Sequence, residues 1–240
     1  MKIITTANIK GGCGKSTTAV ALAQAAAASG RKVLFIDLDP QANGSFFIGA
    51  DQAAGSYQLL HGADPVQTIQ HTAQGVDVIA ASPDLATETT RPGSAKRLQE
   101  AIAPLKKDYD YAYIDTPPQM GELTYNALQA STGLIIPMEA DNSSLQGLYQ
   151  VVDIAQRIQA SNPALDILGI VLTRYDNRSK LSRYMKDAIT AAGQGMGIPL
   201  LAAIRPGVAI REAQALQLSV FGYAPRSNPA LDYMELFTNL

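Results

Sequence analysis

Cysteine is almost missing from this chain: among 240 residues only Cys13 is present. One thiol cannot close an internal disulfide, which fits a reducing compartment. Charge is also scarce. Asp, Glu, Lys and Arg make up 17% of the residues and the formal net charge is −2. That balance argues against a strongly basic protein that coats DNA permanently, but allows a local basic patch. No apolar run approaches the roughly 20 residues of a membrane-spanning helix. The start, "MKIITTANIKGG", lacks the apolar stretch and small-residue cleavage site of a secretory leader. These absences lead to the expectation of a soluble, cytoplasmic protein. Linkers, internal repeats and low-complexity tracts are missing too, so one domain over 1–240 is expected. Apolar residues are not scarce: at 47% they can build a sizeable core.

The apolar residues fall into alternating blocks. "KIITTANI" (2–9) reads as a strand, "KSTTAVALAQAAAASG" as an alanine-rich helix ended by Gly30, and "RKVLFIDLD" (31–39) as a strand covered on both faces. Further strands are expected at 75–82, 109–118, 133–139, 165–176 and 198–204. Helices are expected at about 94–104, 121–131, 143–161, 180–192, 208–217 and 228–239, with short helices in 43–74. Strands alternating with helices predict an α/β fold: a doubly wound, mostly parallel sheet with helices on both faces.

Another absence sits in the first loop. "NIKGGCGKSTTA" ends like a phosphate-binding loop, G-x-x-x-x-G-K-[ST], yet its first glycine is replaced by Ile9, and an extra lysine, Lys10, follows. A glycine loop between a strand and a helix N-terminus offers backbone N–H groups and a favourable dipole to an anion. Gly11, Gly12 and Gly14 allow close approach. Lys15 would reach the β- and γ-phosphates, and the Ser16 hydroxyl would bind Mg²⁺. Asp37, Asp39 and Asp115 end strands at the edge where open α/β sheets bind ligands. One such aspartate is commonly a turn-former. Three beside a phosphate loop point to Mg²⁺ and an attacking water.

"KGGCGKST", "DLDPQAN", "YIDTPP" and "LTRYDNR" together resemble the ParA/MinD family of deviant Walker-A P-loop ATPases. The likeness is closest to the small ParA-type DNA-partition ATPases and runs nearly end to end. It implies ATP and Mg²⁺ as cofactors, with Lys10, Gly11, Gly12, Cys13, Gly14, Lys15, Ser16 and Thr17 on the nucleotide. Lys10 is then the signature lysine that reaches the ATP of a partner in a homodimer, and Lys15 the lysine of its own subunit. Ser16 becomes the direct Mg²⁺ ligand, Asp115 its holder through water, Asp39 the residue that positions the attacking water, and Asp37 a support for the metal shell. In this family's loop the first Walker glycine is not used, which accounts for Ile9. Lys10 read without the family is a solvated surface lysine. Cys13 reads as a small space-filler rather than a catalytic thiol.

The missing features also sort the superfamily. The nitrogenase iron protein needs cluster-holding cysteines, and metal pumps lean on cysteine pairs or a doubled domain. Tyrosine kinases of this type carry a C-terminal tyrosine cluster, where this tail offers Tyr233. MinD-like proteins end in a basic amphipathic helix, whereas "SNPALDYMELFTNL" contains no Lys or Arg. Leu231, Met234, Phe237 and Leu240 in it predict a helix docked on the core, so no membrane partner is expected. Five basic residues lie between Arg174 and Lys186. With Arg205 and Arg211 they form a candidate face for non-specific DNA, centred on Arg178, Lys180, Arg183, Arg205 and Arg211. A strict alignment with relatives would place the arginine at Ala209, so Arg211 stands on its chemistry. The same cluster fits a solvated helix face with pairs such as Arg183–Asp187. Nothing reads as a helix-turn-helix ahead of the loop.

The resemblance therefore implies an ATP-dependent dimer that binds DNA, associates with the nucleoid in the ATP state, and hydrolyses ATP with a ParB-type adaptor. Two alternatives stay open. One is the same ATPase positioning a protein cargo, such as a receptor array or microcompartment. The other is a small-molecule ATP-dependent synthetase. Arg174 and the Pro206–Val208 loop are expected near the base by their place at strand ends.

Overall fold

The structure, a computed structural model, describes residues 1–51, 55–90 and 95–240. Eight strands form one sheet in the order β3-β4-β2-β5-β1-β6-β7-β8. They are β1 (Lys2–Thr6), β2 (Val33–Asp37), β3 (Gln70–His71), β4 (Asp77–Ile79), β5 (Tyr111–Asp115), β6 (Gly133–Met138), β7 (Asp166–Leu172) and β8 (Leu200–Ala203). Every pairing is parallel except that of the two-residue edge strand β3 with β4. The expected fold is therefore the observed one.

Alternation along the strands explains why they read as nearly continuous apolar runs. Ile4, Phe35 and Tyr113 face one layer, while Ile3, Leu34, Ile36 and Ile114 face the other. The first layer is α1 (Lys15–Ala28) with α10 (Asn228–Thr238) against it, joined by α2 (Asn43–Ile48), α8 (Val208–Ala215) and α9 (Val220–Tyr223). The second holds α3 (Ser56–Leu60), α4 (Arg97–Ala101), α5 (Glu122–Ala130), α6 (Ser144–Gln159) and α7 (Lys180–Gly195). Beyond its polar first turn, helix α1 is apolar on every side except for the buried Gln24, and Val20, Leu22 and its alanines from Ala19 to Ala26 are buried. A helix with no polar face belongs between layers, and its small side chains let α10 approach. Truncating Leu22, fully buried here, would cost about 2–5 kcal/mol.

Four expectations need correction. The helix expected at 94–104 is α4 followed by a separate 3₁₀ turn, Ala103–Lys107, because Pro104 cannot continue the α-helical hydrogen bonding. Ser94, its expected start, lies outside the described residues, as do 52–54 of the 43–74 region. That region contains α2, α3 and a 3₁₀ turn (Pro65–Thr68) as foreseen, but also β3. Helix α9 and a 3₁₀ segment, Pro83–Thr90, were not foreseen. The tail docks, but not by the expected stripe. Ala230, Tyr233 and Leu236 are buried, Phe237 and Leu240 are partly covered, and Leu231 is half exposed. A three-residue spacing drifts around a helix of 3.6 residues per turn, so Leu231 falls off the docked face. Among the described residues no helix is long and apolar enough to cross a membrane.

Candidate nucleotide site

The loop 7–14 joins β1 to α1 at the sheet's C-terminal edge. Gly12 and Gly14 have φ of +72° and +92°, the left-handed region that favours glycine. A side chain on Gly14 would also meet Thr173 Cγ2 at 2.9 Å, so this position admits no larger residue. Side chains take up the loop's carbonyls. Lys15 Nζ donates to the Lys10 carbonyl at 3.1 Å, Thr173 Oγ1 to the Cys13 carbonyl at 2.9 Å, and Arg174 to the Gly12 carbonyl. Helix α1 starts with no side-chain cap and no acid in its first turn. Its first N–H groups are thus left for a ligand, and an anion is the ligand that the dipole favours.

A cavity of about 860 Å³ opens over this helix end. Gly11, Gly12, Gly14, Lys15, Ser16 and Thr17 form its floor, and Asp39 faces it from the side. Another wall is the segment 204–208 with Ile210, Arg211 and Gln214 of α8, where Gln214 Nε2 donates to Thr17 Oγ1 at 3.2 Å. Arg174 and the Pro206–Val208 loop therefore line the same cavity as the phosphate loop, as expected from their strand ends. Arg174 sits at φ +50°, rare for a residue with a side chain, and pairs with Glu139 as well as the loop.

The acids divide by what holds them. Asp37 and Asp115 stand opposite each other in register on β2 and β5, both fully buried. Asp37 Oδ1 accepts from the Asp39 amide at 3.0 Å, and Oδ2 from the Ser45 amide and hydroxyl at 2.7 Å each. Both of its oxygens are thus engaged by the 39–45 turn, which is the geometry of a support rather than of a free ligand. Burial pushes its carboxyl up to about 6 despite these donors. Asp115 differs. Oδ1 accepts from Thr116 N, while Oδ2 is buried with no hydrogen-bond partner among the described residues. Burial, with Asp37 beside it, raises its pKa well above the carboxylate range, opposed by Ser16 and Lys15. An orphaned buried carboxylate oxygen next to a serine hydroxyl and two further acids is a donor set that fits Mg²⁺. Asp39, nearly buried, caps the turn through Gln41 N at 3.0 Å and faces the cavity. Burial raises the Cys13 thiol's pKa, and its S–H donates to the Lys10 carbonyl at 3.1 Å.

Lys10 does not line the cavity, whereas Lys15 does. Its ammonium pairs with Asp141, which also accepts from Ser143 and Ser144. Burial alone would raise the Asp141 pKa, but these donors outweigh it and hold the carboxyl at about 2. Asp141, Glu139 and Thr173 were missed in the sequence. "PMEAD" ends β6, beside β1, and "VLTRYD" ends β7, beside β6, so the strand-end rule that found Asp115 also reaches them.

The basic residues differ in what holds them and in whether they line the cavity. Arg178 pairs with Asp176 through Nε and Nη2 at 3.0 Å each, and Arg183 donates to the Asn177 carbonyl at 2.7 Å. Lys180 begins α7 exposed. Arg205 and Arg211 instead line the nucleotide cavity, and Arg205 is held by Asp232.

Known proteins resemble the chain over most of its length. A known family described as an AAA domain matches residues 1–167. The chain is 34% identical over 236 residues to the chromosome-partitioning ATPase Soj of Thermus thermophilus, covering 97% of this chain and 92% of the relative. Two solved structures share the fold at 28% identity and a TM-score of 0.81. The match to the septum site-determining protein MinD from Pyrococcus horikoshii with Mg-ADP covers 99% of this chain and 95% of that one. Cobyrinic acid a,c-diamide synthase from Mycobacterium smegmatis with ADP and magnesium covers 99% and 93%.

Proposed function

The chain belongs to the ParA/MinD-type P-loop ATPases, and from that premise we propose that it is an ATP-driven partition switch. ATP and Mg²⁺ are its ligands. The loop amides and Lys15 hold the phosphates, and Ser16 and Asp115 would hold the metal, which supplies charge neutralisation on the phosphate oxygens. Asp39 orients the attacking water and accepts its proton at the carboxylate. Asp37 fixes the turn that carries Asp39. The ATP-bound form is a homodimer that binds DNA without sequence preference, and a ParB-type adaptor triggers hydrolysis and release.

The observation that carries this reading is Lys10. It stands on the phosphate loop yet lies off its own cavity, held by Asp141. A lysine in that place can serve a nucleotide bound by a second copy, which would link dimerisation to ATP and place a second cation on the transition state. Light scattering at saturating ATP and Mg²⁺, with Asp39→Ala to block turnover, should give twice the monomer mass, and ADP should not. A monomer in both states overturns the dimer. The synthase likeness supports a second reading, in which turnover needs a small-molecule acceptor. Turnover stimulated by DNA and an adaptor, with no metabolite added, decides for partition.

A further inference from the structure

The 204–208 wall of the cavity is anchored on the C-terminal helix, and so is the phosphate loop's own helix. Arg205, at the start of that wall, donates to Asp232 of α10 through its backbone N at 2.8 Å, Nε at 3.0 Å and Nη2 at 2.6 Å. A Cβ on Gly207 would lie 2.8 Å from Pro229 Cδ, so the wall's backbone rests directly on the first turn of α10. One residue past Asp232, Tyr233 is buried, lines the cavity and shares a 3.1 Å hydrogen bond with Thr18 of α1. Helix α10 thus touches both sides of one cavity. A strut between two walls sets their separation.

We propose that Asp232 is a positioning residue for nucleotide binding, which through Arg205 holds the 204–208 wall at the distance from the phosphate loop that a nucleoside triphosphate spans. The proposal rests on reading the cavity as the ATP site. The phosphate end is built by loop amides and Lys15, none of which touches Asp232. Loss of the strut therefore weakens the base and sugar side and leaves the polyphosphate side intact. A residue that merely supports the fold would not separate the two.

The experiment uses the full chain and two probes with Mg²⁺: ATP, and inorganic tripolyphosphate, which has no base. Asp232→Ala should bind ATP about tenfold more weakly, the scale of one lost charge-assisted pair, with tripolyphosphate binding unchanged. Asp232→Glu should recover most of the ATP affinity. Gly207→Ala displaces the wall sterically without altering a charge, and should show the same selective loss if Asp232→Ala fails to fold. Undiminished ATP binding in Asp232→Ala overturns the proposal, and so does a parallel loss of both probes in a folded variant. Wild-type protein that binds neither probe would instead overturn the nucleotide reading on which the proposal stands.

Discussion

The phosphate loop and the basic start of α7 carry similar side chains, but they are built differently. In the loop each functional group has one place to be. Two glycines sit at positive φ, carbonyls are tied by Lys15, Thr173 and Arg174, and buried acids stand in register behind them. Around the start of α7 the charges are exposed and satisfied locally: Arg178 by Asp176, and Arg183 by the Asn177 and Arg178 carbonyls just ahead of the helix. The difference teaches what to expect of substitution. A preorganised, desolvated site fails as a unit, because a removed group leaves buried partners unsatisfied. A solvated face loses its contacts one at a time.

The largest effects therefore belong to the loop. Lys15→Ala should weaken ATP binding by about two orders of magnitude or more, the cost of one desolvated charge contact. Asp39→Ala should keep ATP but lower turnover by at least about 100-fold, as loss of a general base does. Fluorescent-nucleotide titration paired with phosphate release separates the two. Wild-type turnover in Asp39→Ala would move the water to another residue and weaken the contrast with α7.

A smaller effect is expected between the two regions, at Asp141. Its pairing with Lys10 competes with any role of Lys10 toward a second nucleotide. Asp141→Asn removes the competitor, so half-maximal dimerisation should come at an ATP concentration about three- to tenfold lower, the scale of a partly exposed ion pair. Its pKa is depressed to about 2. Stability from this pair is then present above the ordinary carboxylate range and lost as pH falls from about 4 toward 2. Melting curves of wild type and Asp141→Asn should converge across that window. A variant that dimerises no more readily would show that Lys10 is not restrained.

The same contrast explains what was legible in the sequence. The strand–loop–helix order, the glycines and the strand-end acids could be read because backbone geometry admits few residues there, and each motif sits at a fixed place in a parallel sheet. Residue pattern alone does not separate Asp37 from Asp115; the resemblance assigns them different roles, and the difference is one of partners: Ser45 and the 39–45 turn engage one, while among the described residues Oδ2 of the other has no hydrogen-bond partner. Arg205 and Arg211 looked like companions of the α7 charges because the sequence offered only their charge and their nearness to a position where relatives carry an arginine. The fold sends them to the cavity wall instead, and Asp232, which holds Arg205, lies 27 residues further along the chain.

The smallest expected effects are on α7, and there the face can still be graded. Binding to random duplex DNA, measured with ATP at two salt concentrations, reports how many phosphates are neutralised, since each contact adds about 0.9 to the slope of log K against log salt. Lys180 is an exposed ammonium at the helix start, so Lys180→Ala should weaken binding a few-fold on every sequence and lower that slope by about one. Arg183→Ala should do the same, because its two carbonyl contacts both use Nη1 and leave the other guanidinium donors free for phosphate. Arg178 is different. Its fork is closed on Asp176 by two 3.0 Å bonds, and the pair presents almost no net charge to a polyanion. Arg178→Ala breaks no phosphate contact, so it should leave the salt slope unchanged and weaken DNA affinity only through the acid it leaves unpaired, by no more than either neighbour. Asp176→Ala, which frees the guanidinium, should strengthen binding and steepen the salt slope. If Arg178→Ala proved the most damaging of the three, the Asp176 pair would have to open on DNA, and α7 would be a built site like the loop rather than a solvated face.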